Sequence, residues 1–425
     1  MKMKKRRIIA NSLSITIVII IASCRKDEVS TNIDTSILTT TCSTSGTVAQ
    51  STNAEIETLR QAFLAFRVSL GSTLLENSTS CLGSDRFTKW HNTPGTRDGI
   101  TYADLSTVQI DQFKSLLQLV LSTEGYGKVD EITTLSEGFL SEINSIMWNP
   151  NKYSIDMFGD PENDGSWGFQ LDGHHCAINF LVHGNNVSIV PAFLGAEPVT
   201  GIYNGISFDI FEDERDLALI LYDGFSGGEN AVAVINGNSA IMELGPAVSN
   251  GDVDSYAGSY DYSGFETGLK YSNMSTVSQA NLIILMKEYV YNLNTSFADQ
   301  WWNDISANID DTYFVWVDNV NVPNATSQFY YRIYNPYLWV EYNMEDPVGM
   351  GIDQWNHAHT ITRIPNNPGT ENGGDYGVFA QIMNNDEIKF LAQHYEQTDH
   401  HETSFVEFDY RLINEHKHND KSHKH

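Results

Sequence analysis

Basic residues are scarce in this chain. Across 425 residues, Lys and Arg number 25 against 54 Asp and Glu, a formal charge of −29 with a pI near 4.6. Such a surface repels phosphate backbones and anionic lipid, so no nucleic-acid partner is expected. There are four cysteines and no CxxC pair. No GxSxG elbow, HExxH helix or glycine-rich Walker loop occurs, which leaves the hydrolase, zincin and nucleotide-binding labels carried by those motifs without support. Long apolar runs are missing too, except at the N-terminus.

That N-terminal run has the pattern of a targeting segment. "KKRR" at 4–7 precedes an apolar stretch at 8–22, which is short and interrupted for a membrane span and ends in "IASC" at 21–24. A small pair before cysteine is the pattern of a bacterial lipoprotein signal, which makes Cys24 the expected lipidated first residue of the mature chain. Arg25 stands where an inner-membrane retention aspartate would be. Lys26-Asp27-Glu28 resembles the export tag of Bacteroidetes-type surface lipoproteins. The expectation is an outer-membrane lipoprotein, on the periplasmic face or the cell surface, that meets the membrane only through this anchor. Of the other cysteines, Cys42 and Cys81 are permitted a bridge in an oxidising envelope, and Cys176 sits in an apolar alternation as a small hydrophobe.

Residues 24–54 are Ser/Thr-rich without an apolar period, as suits a tether, and 55–413 have the character of one domain. Leu59, Phe63, Phe66 and Leu70 recur at helical spacing in "NAEIETLRQAFLAFRVSL". A weak repeat follows: "GITYADLSTV" at 99–108 aligns without gaps to "GLKYSNMSTV" at 268–277. Each copy predicts an extended entry, a serine cap (Ser106, Ser275) and an amphipathic helix. Between the helices, 167–196 read as two strand runs joined by a hairpin at "HGNN". "TYFVWVDNV", "QFYYRIYNPYLWVEYN" and "HAHTITRIP" carry the aromatic and β-branched residues of further antiparallel strands. The plan is α+β: antiparallel sheets packed with amphipathic helices, with a pseudo-repeat of two halves expected. The tail at 414–425, "NEHKHNDKSHKH", has four histidines and no period, and is expected to be disordered.

Histidine pairs carry the chemistry. In a strand, residues i and i+2 share a face, so His357 and His359 of "HAH" present two imidazoles side by side, a spacing suited to one metal ion. The alternative is two hydrogen-bonded histidines on a half-buried face. In "LDGHHCAINF", His174 and His175 would face opposite ways if both lay in a strand. His175 is then the candidate third ligand, and His174 a hydrogen-bonded residue behind the ligands. Three histidines and an open position make a zinc-like catalytic arrangement. Glu341 in "LWVEYN" and Arg363 in "HTITRIP" are charges among large hydrophobes. Glu341 is a general base or fourth ligand, or else one side of a structural pair with Arg332 or Arg363; Arg363 is the candidate anion anchor. Asp375 of "GGDYG" is placed to accept from a ligating histidine.

Taken in order, "YSIDMFGDPENDGSWGFQLDGHHCAINFLVHGNNVSIVPAFLGAEP", "GLKYSNMS", "YYRIYNP", "WVEYN", "HAHTITRIPN" and "DYG" resemble a bacterial and fungal family, domain of unknown function 3500. The resemblance runs from about "NAEIETLRQAF" to the "HYEQ" region. It implies that His174, His175, His357, His359, Arg363, Asp375, Tyr376 and Gly377 occupy the family's motif positions. The chain departs from that pattern by an enlarged "NNPGTENGG" stretch after Arg363, and by "VFAQIMNND" where an immediate amphipathic helix would follow.

The combined expectation is a divalent transition metal, zinc or iron, held by His175, His357 and His359. It serves a metal-dependent hydrolase or oxidoreductase acting on an extracellular small molecule or polymer. The competing expectation is a non-catalytic surface protein that binds glycan, peptide or metal and uses the histidines structurally.

Overall fold

In a computed structural model the chain is described over residues 48–365, apart from 83, 85, 87–88, 238–241, 243–261, 263, 319–326 and 350. The expected signal peptide, Cys24, Cys42, Asp375 and the histidine-rich tail lie outside the described residues. No helix among the described residues is long and apolar enough to cross a membrane.

The chain begins with α1 (Ala54–Ser69) and α2 (Gly71–Asn77), then short strands β1 (Thr79–Ser80) and β2 (Ile100–Thr101). Three helices follow, α3 (Thr107–Val120), α4 (Thr123–Asp130) and α5 (Glu137–Asn144), the last two joined by a π-helical turn at Glu131–Ser136. Then come β3 (Ser154–Gly159), β4 (Ser166–Gly173), β5 (Cys176–His183), β6 (Asn186–Ser188), β7 (Ala192–Ala196), β8 (Thr200–Tyr203) and β9 (Ile206–Asp209). After α6 (Glu212–Asp223) and α7 (Gly227–Ala233), β10 (Leu269–Lys270) leads into α8 (Thr276–Val290) and α9 (Thr295–Ala307). Strands β11 (Tyr313–Asp318), β12 (Phe329–Asn335), β13 (Leu338–Glu345) and β14 (His357–Arg363) follow within the described residues.

The helix starts are written locally. Asn53 accepts from Glu55 N to cap α1, and Ser106 accepts from Gln109 N in a capping box at α3. The two repeated lead-ins fold alike. Each runs as a short strand, a 3-10 turn and a serine cap into α3 or α8. Their glycines have one cause: Gly99 and Gly268 sit at φ +86° and +91°, and a Cβ would fall 2.2 Å from Ile155 O or 2.3 Å from Phe314 O across the neighbouring strand. The units also clasp each other, Ser122 N donating to Asn292 O at 3.0 Å and Asn294 N to Val120 O at 2.9 Å.

Among the described residues twelve strands form one sheet, with a main path in the order β1-β3-β4-β5-β7-β14-β13-β12-β11-β10. β8 and β9 make a separate hairpin. Pairing is antiparallel throughout except for β1 with β3, so the fold is α+β. One face packs under the helices, where Leu171, Ile178, Phe180, Leu194, Val340 and Tyr342 meet Phe63, Phe113, Leu117 and Leu282. On the other face Trp90, Ala177, Phe193, Trp339 and Ile361 form a smaller core. Alternation along β14 sends His357, His359, Ile361 and Arg363 to this second face, and Ala358 to the helix side.

The hairpin at "HGNN" forms, with His183 opposite Asn186. The stretch before it is not one run: it folds as β4 and β5, with Gly173 opposite Cys176 and His174-His175 as the two turn residues. Cys176 is a free, fully buried thiol, as its apolar setting implies; Cys81 is disulfide-bonded, and its partner lies outside the described residues.

Candidate metal centre

Because His174 and His175 form a turn, the opposite-face rule that separates neighbours in a strand does not apply to them. His175 takes φ +61°, a left-handed conformation uncommon outside glycine and disfavoured by its Cβ. Two backbone bonds hold it there: its N–H donates to Asn92 O at 3.2 Å, and its carbonyl accepts from Gly195 N at 2.7 Å. Held this way, the ring projects over β7 to the far end of β14.

There the three imidazoles converge. His175 Nε2 lies 3.1 Å from His357 Nε2 and 3.2 Å from His359 Nε2, and the last two are 2.9 Å apart. All three residues are buried, at 3%, 4% and 9% exposure. Four-coordinate zinc with nitrogens at ~2.0–2.1 Å separates its ligand atoms by about 3.3 Å, so the observed triangle is close to that of three ligands on one ion.

The outer nitrogens decide where the protons are. His357 Nδ1 lies 3.2 Å from Asp346 O, and His359 Nδ1 lies 2.9 Å from Glu345 Oε1. A carbonyl and a carboxylate only accept, so both Nδ1 atoms donate and both neutral rings turn bare Nε2 lone pairs toward the common point. Two lone pairs at 2.9 Å repel unless a cation lies between them. Protonation is a poor substitute, because burial, and then the repulsion of a second proton on His359, push the His357 pKa down to about 3. Burial and the neighbouring histidines likewise drive His175 well below the usual histidine range. For Glu345 burial opposes ionisation, but hydrogen bonds donated by His359 Nδ1 and Asn343 Nδ2 outweigh it and hold the carboxyl at about 2.

The surroundings are shaped for these rings. Gly195 lies beneath them: a Cβ there would fall 2.8 Å from His359 Cδ2 and 3.0 Å from His175 Cδ2. Phe193 packs against His359 with centroids 5.1 Å apart. His174 stacks on His175 at 3.7 Å between centroids, and its Nδ1 contacts Glu137 Oε2 at 2.6 Å.

The sequence-derived candidates separate accordingly. His175, His357 and His359 come together, with His174 directly behind His175. Glu341 shares their face, but its Oε1 accepts from Tyr330 OH and its Oε2 from Trp339 Nε1, both at 2.9 Å, and it stands opposite Arg332 in the register. It is not among the residues whose ligand atoms converge. Arg363 is fully buried, with its guanidinium carbon 6.0 Å from the Trp90 ring. Sequence reasoning missed Glu345, Glu137 and Gly195. Only Glu345 left a trace, standing four residues after Glu341 and therefore on the same strand face.

Comparison with known proteins adds one match. A family profile described as "Protein of unknown function (DUF3500)" covers residues 52–377, more than half of the chain. The chain belongs to the DUF3500 family. All three converging histidines and Glu345 fall within the DUF3500 match, as does Gly195. No curated protein matches the chain. No solved structure matches it either.

Proposed function

We propose that this protein binds a divalent transition metal, zinc or iron, at His175, His357 and His359, and uses it in a hydrolytic or oxidoreductive reaction on an extracellular substrate. The observation that carries this reading is the pair of donating Nδ1 atoms on His357 and His359, which leaves bare Nε2 lone pairs 2.9 Å apart and 3.1–3.2 Å from His175 Nε2. Imidazole donors suit zinc and iron among the available divalent ions. A cation at that point supplies Lewis-acid polarisation of a substrate oxygen or of water. The chain's own part is positional: Glu345 and the Asp346 carbonyl fix the ring planes of the β14 pair, and the turn geometry fixes the third ring.

As part of the same reading, the lipobox at 21–24 supports export and anchoring through Cys24 in the outer membrane, and the charge of −29 speaks against nucleic acid as a partner. A second reading is favoured by the burial of the three histidines: a closed structural ion in a non-catalytic, ligand-binding surface protein.

Elemental analysis of a chain spanning about 50–413, which excludes the tail histidines, tests the proposal. One equivalent of metal, lost in His357→Ala with His359→Ala, is expected. Absence of metal together with unchanged folding of that double variant would overturn it. X-ray absorption then separates the two readings: three nitrogens plus an exchangeable oxygen support catalysis, and a shell completed by a fourth protein ligand supports the structural role.

A further inference from the structure

The connection from β13 to β14, residues 346–356, supplies one contact to the three histidines: Asp346 O, the acceptor 3.2 Å from His357 Nδ1. Asp346 lies just beyond Glu345, the last residue of β13 to pair with β14. Its carbonyl is therefore placed by whatever holds the loop, and Pro347 has no N–H to contribute. The next two amides, Val348 N and Gly349 N, both donate to Glu197 Oε1, the second at 2.5 Å. The loop comes this close because residue 349 has no side chain: a Cβ there would fall 2.6 Å from Ile352 Cδ1 and 3.0 Å from Leu140 Cδ2.

Glu197 is itself held in place. It follows Ala196, which pairs with Ala358 between the two β14 histidines. Its own N–H donates to Ser136 Oγ at 3.0 Å, and that hydroxyl donates to Pro198 O at 3.0 Å, so the π-helical turn at Glu131–Ser136 pins the backbone on either side of the Glu197–Pro198 bond. The residue is 1% exposed. A carboxyl group at this depth needs donors, and the loop provides two amides.

We propose that Glu197 is a positioning residue for the metal centre: by clamping Val348 and Gly349 it places the Asp346 carbonyl that keeps the proton on His357 Nδ1 and leaves Nε2 bare for the ion. This rests on the three-histidine reading above. Glu345 serves His359 by direct contact, so the two β14 rings are set by two separate glutamates, one touching its ring and the other acting through a loop. The competing explanation is charge alone, because an oxygen of Glu197 lies within 4.8 Å of a ring nitrogen of His174 and of His175, near enough to favour a cation without any loop. Substitution separates reach from charge. Glu197→Gln keeps an oxygen at the same reach and loses the charge, whereas Glu197→Asp keeps the charge and draws back by one methylene, out of reach of the two amides.

The test uses the full chain with the four tail histidines (His416, His418, His423, His425) changed to asparagine and the remaining histidines isotope-labelled. In the metal-free protein, imidazole NMR correlations, assigned by their loss in His357→Gln, should show His357 protonated at Nδ1. Glu197→Gln should keep that pattern, and Glu197→Asp should lose it to a mixture of tautomers. Zinc affinity from chelator competition should follow, staying within about threefold of wild type in Glu197→Gln and falling about 10–100-fold in Glu197→Asp, the range for a lost partner behind a ligating histidine. Loss of the Nδ1 pattern in Glu197→Gln overturns the proposal, as does its retention in folded Glu197→Asp; should Glu197→Asp not fold, Glu197→Gln decides alone. Wild-type protein that shows the pattern but takes up no divalent metal overturns the metal reading, while the tautomer comparison still decides what Glu197 does.

Discussion

Glu345 reaches diagonally across the β13–β14 pair to His359, with the carboxylate Oε1 2.9 Å from the ring Nδ1. This contact sets the tautomer of one candidate ligand and, through charge, strengthens its Nε2 as a donor. Glu345→Gln retains the shape but removes the charge, and its amide can present nitrogen instead of oxygen to the ring. Metal affinity measured by competition with a chromophoric chelator should fall about 10–100-fold, the usual cost of losing an acceptor behind a ligating histidine. An unchanged affinity would show that the contact does not tune the site.

Gly195 makes a steric prediction. A methyl group in Gly195→Ala meets two ligand rings and the Ala358 carbonyl, at 2.8, 3.0 and 3.1 Å. None of these is the loose end of a flexible chain. The variant should be destabilised by about 1–3 kcal/mol, the range for overpacking, and should lose most of its metal. Thermal melting with and without added zinc checks this: the wild-type should gain stability on zinc addition, and the variant little or none.

Glu341 is expected to behave as a structural residue. Both its oxygens are engaged, by Tyr330 and Trp339, in a fully buried setting. Glu341→Ala removes an acceptor from two buried donors and should cost roughly 3–5 kcal/mol, while a folded Glu341→Gln preparation should keep the wild-type metal content. Loss of metal from folded Glu341→Gln would return the residue to the ligand set.

Away from the three histidines, Glu229 sets an acid limit on stability. Burial opposes its ionisation, but amide hydrogen bonds from Ser275 N at 2.6 Å and Ser226 N at 2.7 Å win and hold its pKa at about 2, below the ordinary glutamate value of 4.5. A depressed folded-state pKa contributes stability that is full above the unfolded value and is lost as pH falls from about 4.5 toward 2. Glu229→Gln should remove roughly 2 kcal/mol at pH 7, the scale of a hydrogen bond to a charged group, and should flatten the decline of stability between pH 5 and 3. Urea melts across that range would check both effects.

The strand at 357–363 and its paired histidines were legible because alternation needs only local sequence. The α3 and α8 helices were legible through their serine caps and apolar period. The turn at His174-His175 was not, since it lacks the Asn-Gly type of signal and is held by Asn92 and Gly195 from distant segments. Glu137, Glu345 and Gly195 acquire their roles from packing and register across the sheet, which residue spacing along the chain does not encode. Glu341 misled because a charge among hydrophobes looks alike whether it bonds two aromatic side chains or binds a ligand.

The partners of His175 lie 182 and 184 residues further along the chain, on a strand that hydrogen-bonds to β7 only after everything between them has been made. The complete set of three histidines therefore exists only once β14 has docked. A chain that stops short of residue 357, or is still held extended by a chaperone, presents no three-histidine point to capture an ion. Metal content would thus serve as a certificate of finished assembly, distinguishing completed molecules from collapsed ones that merely look folded.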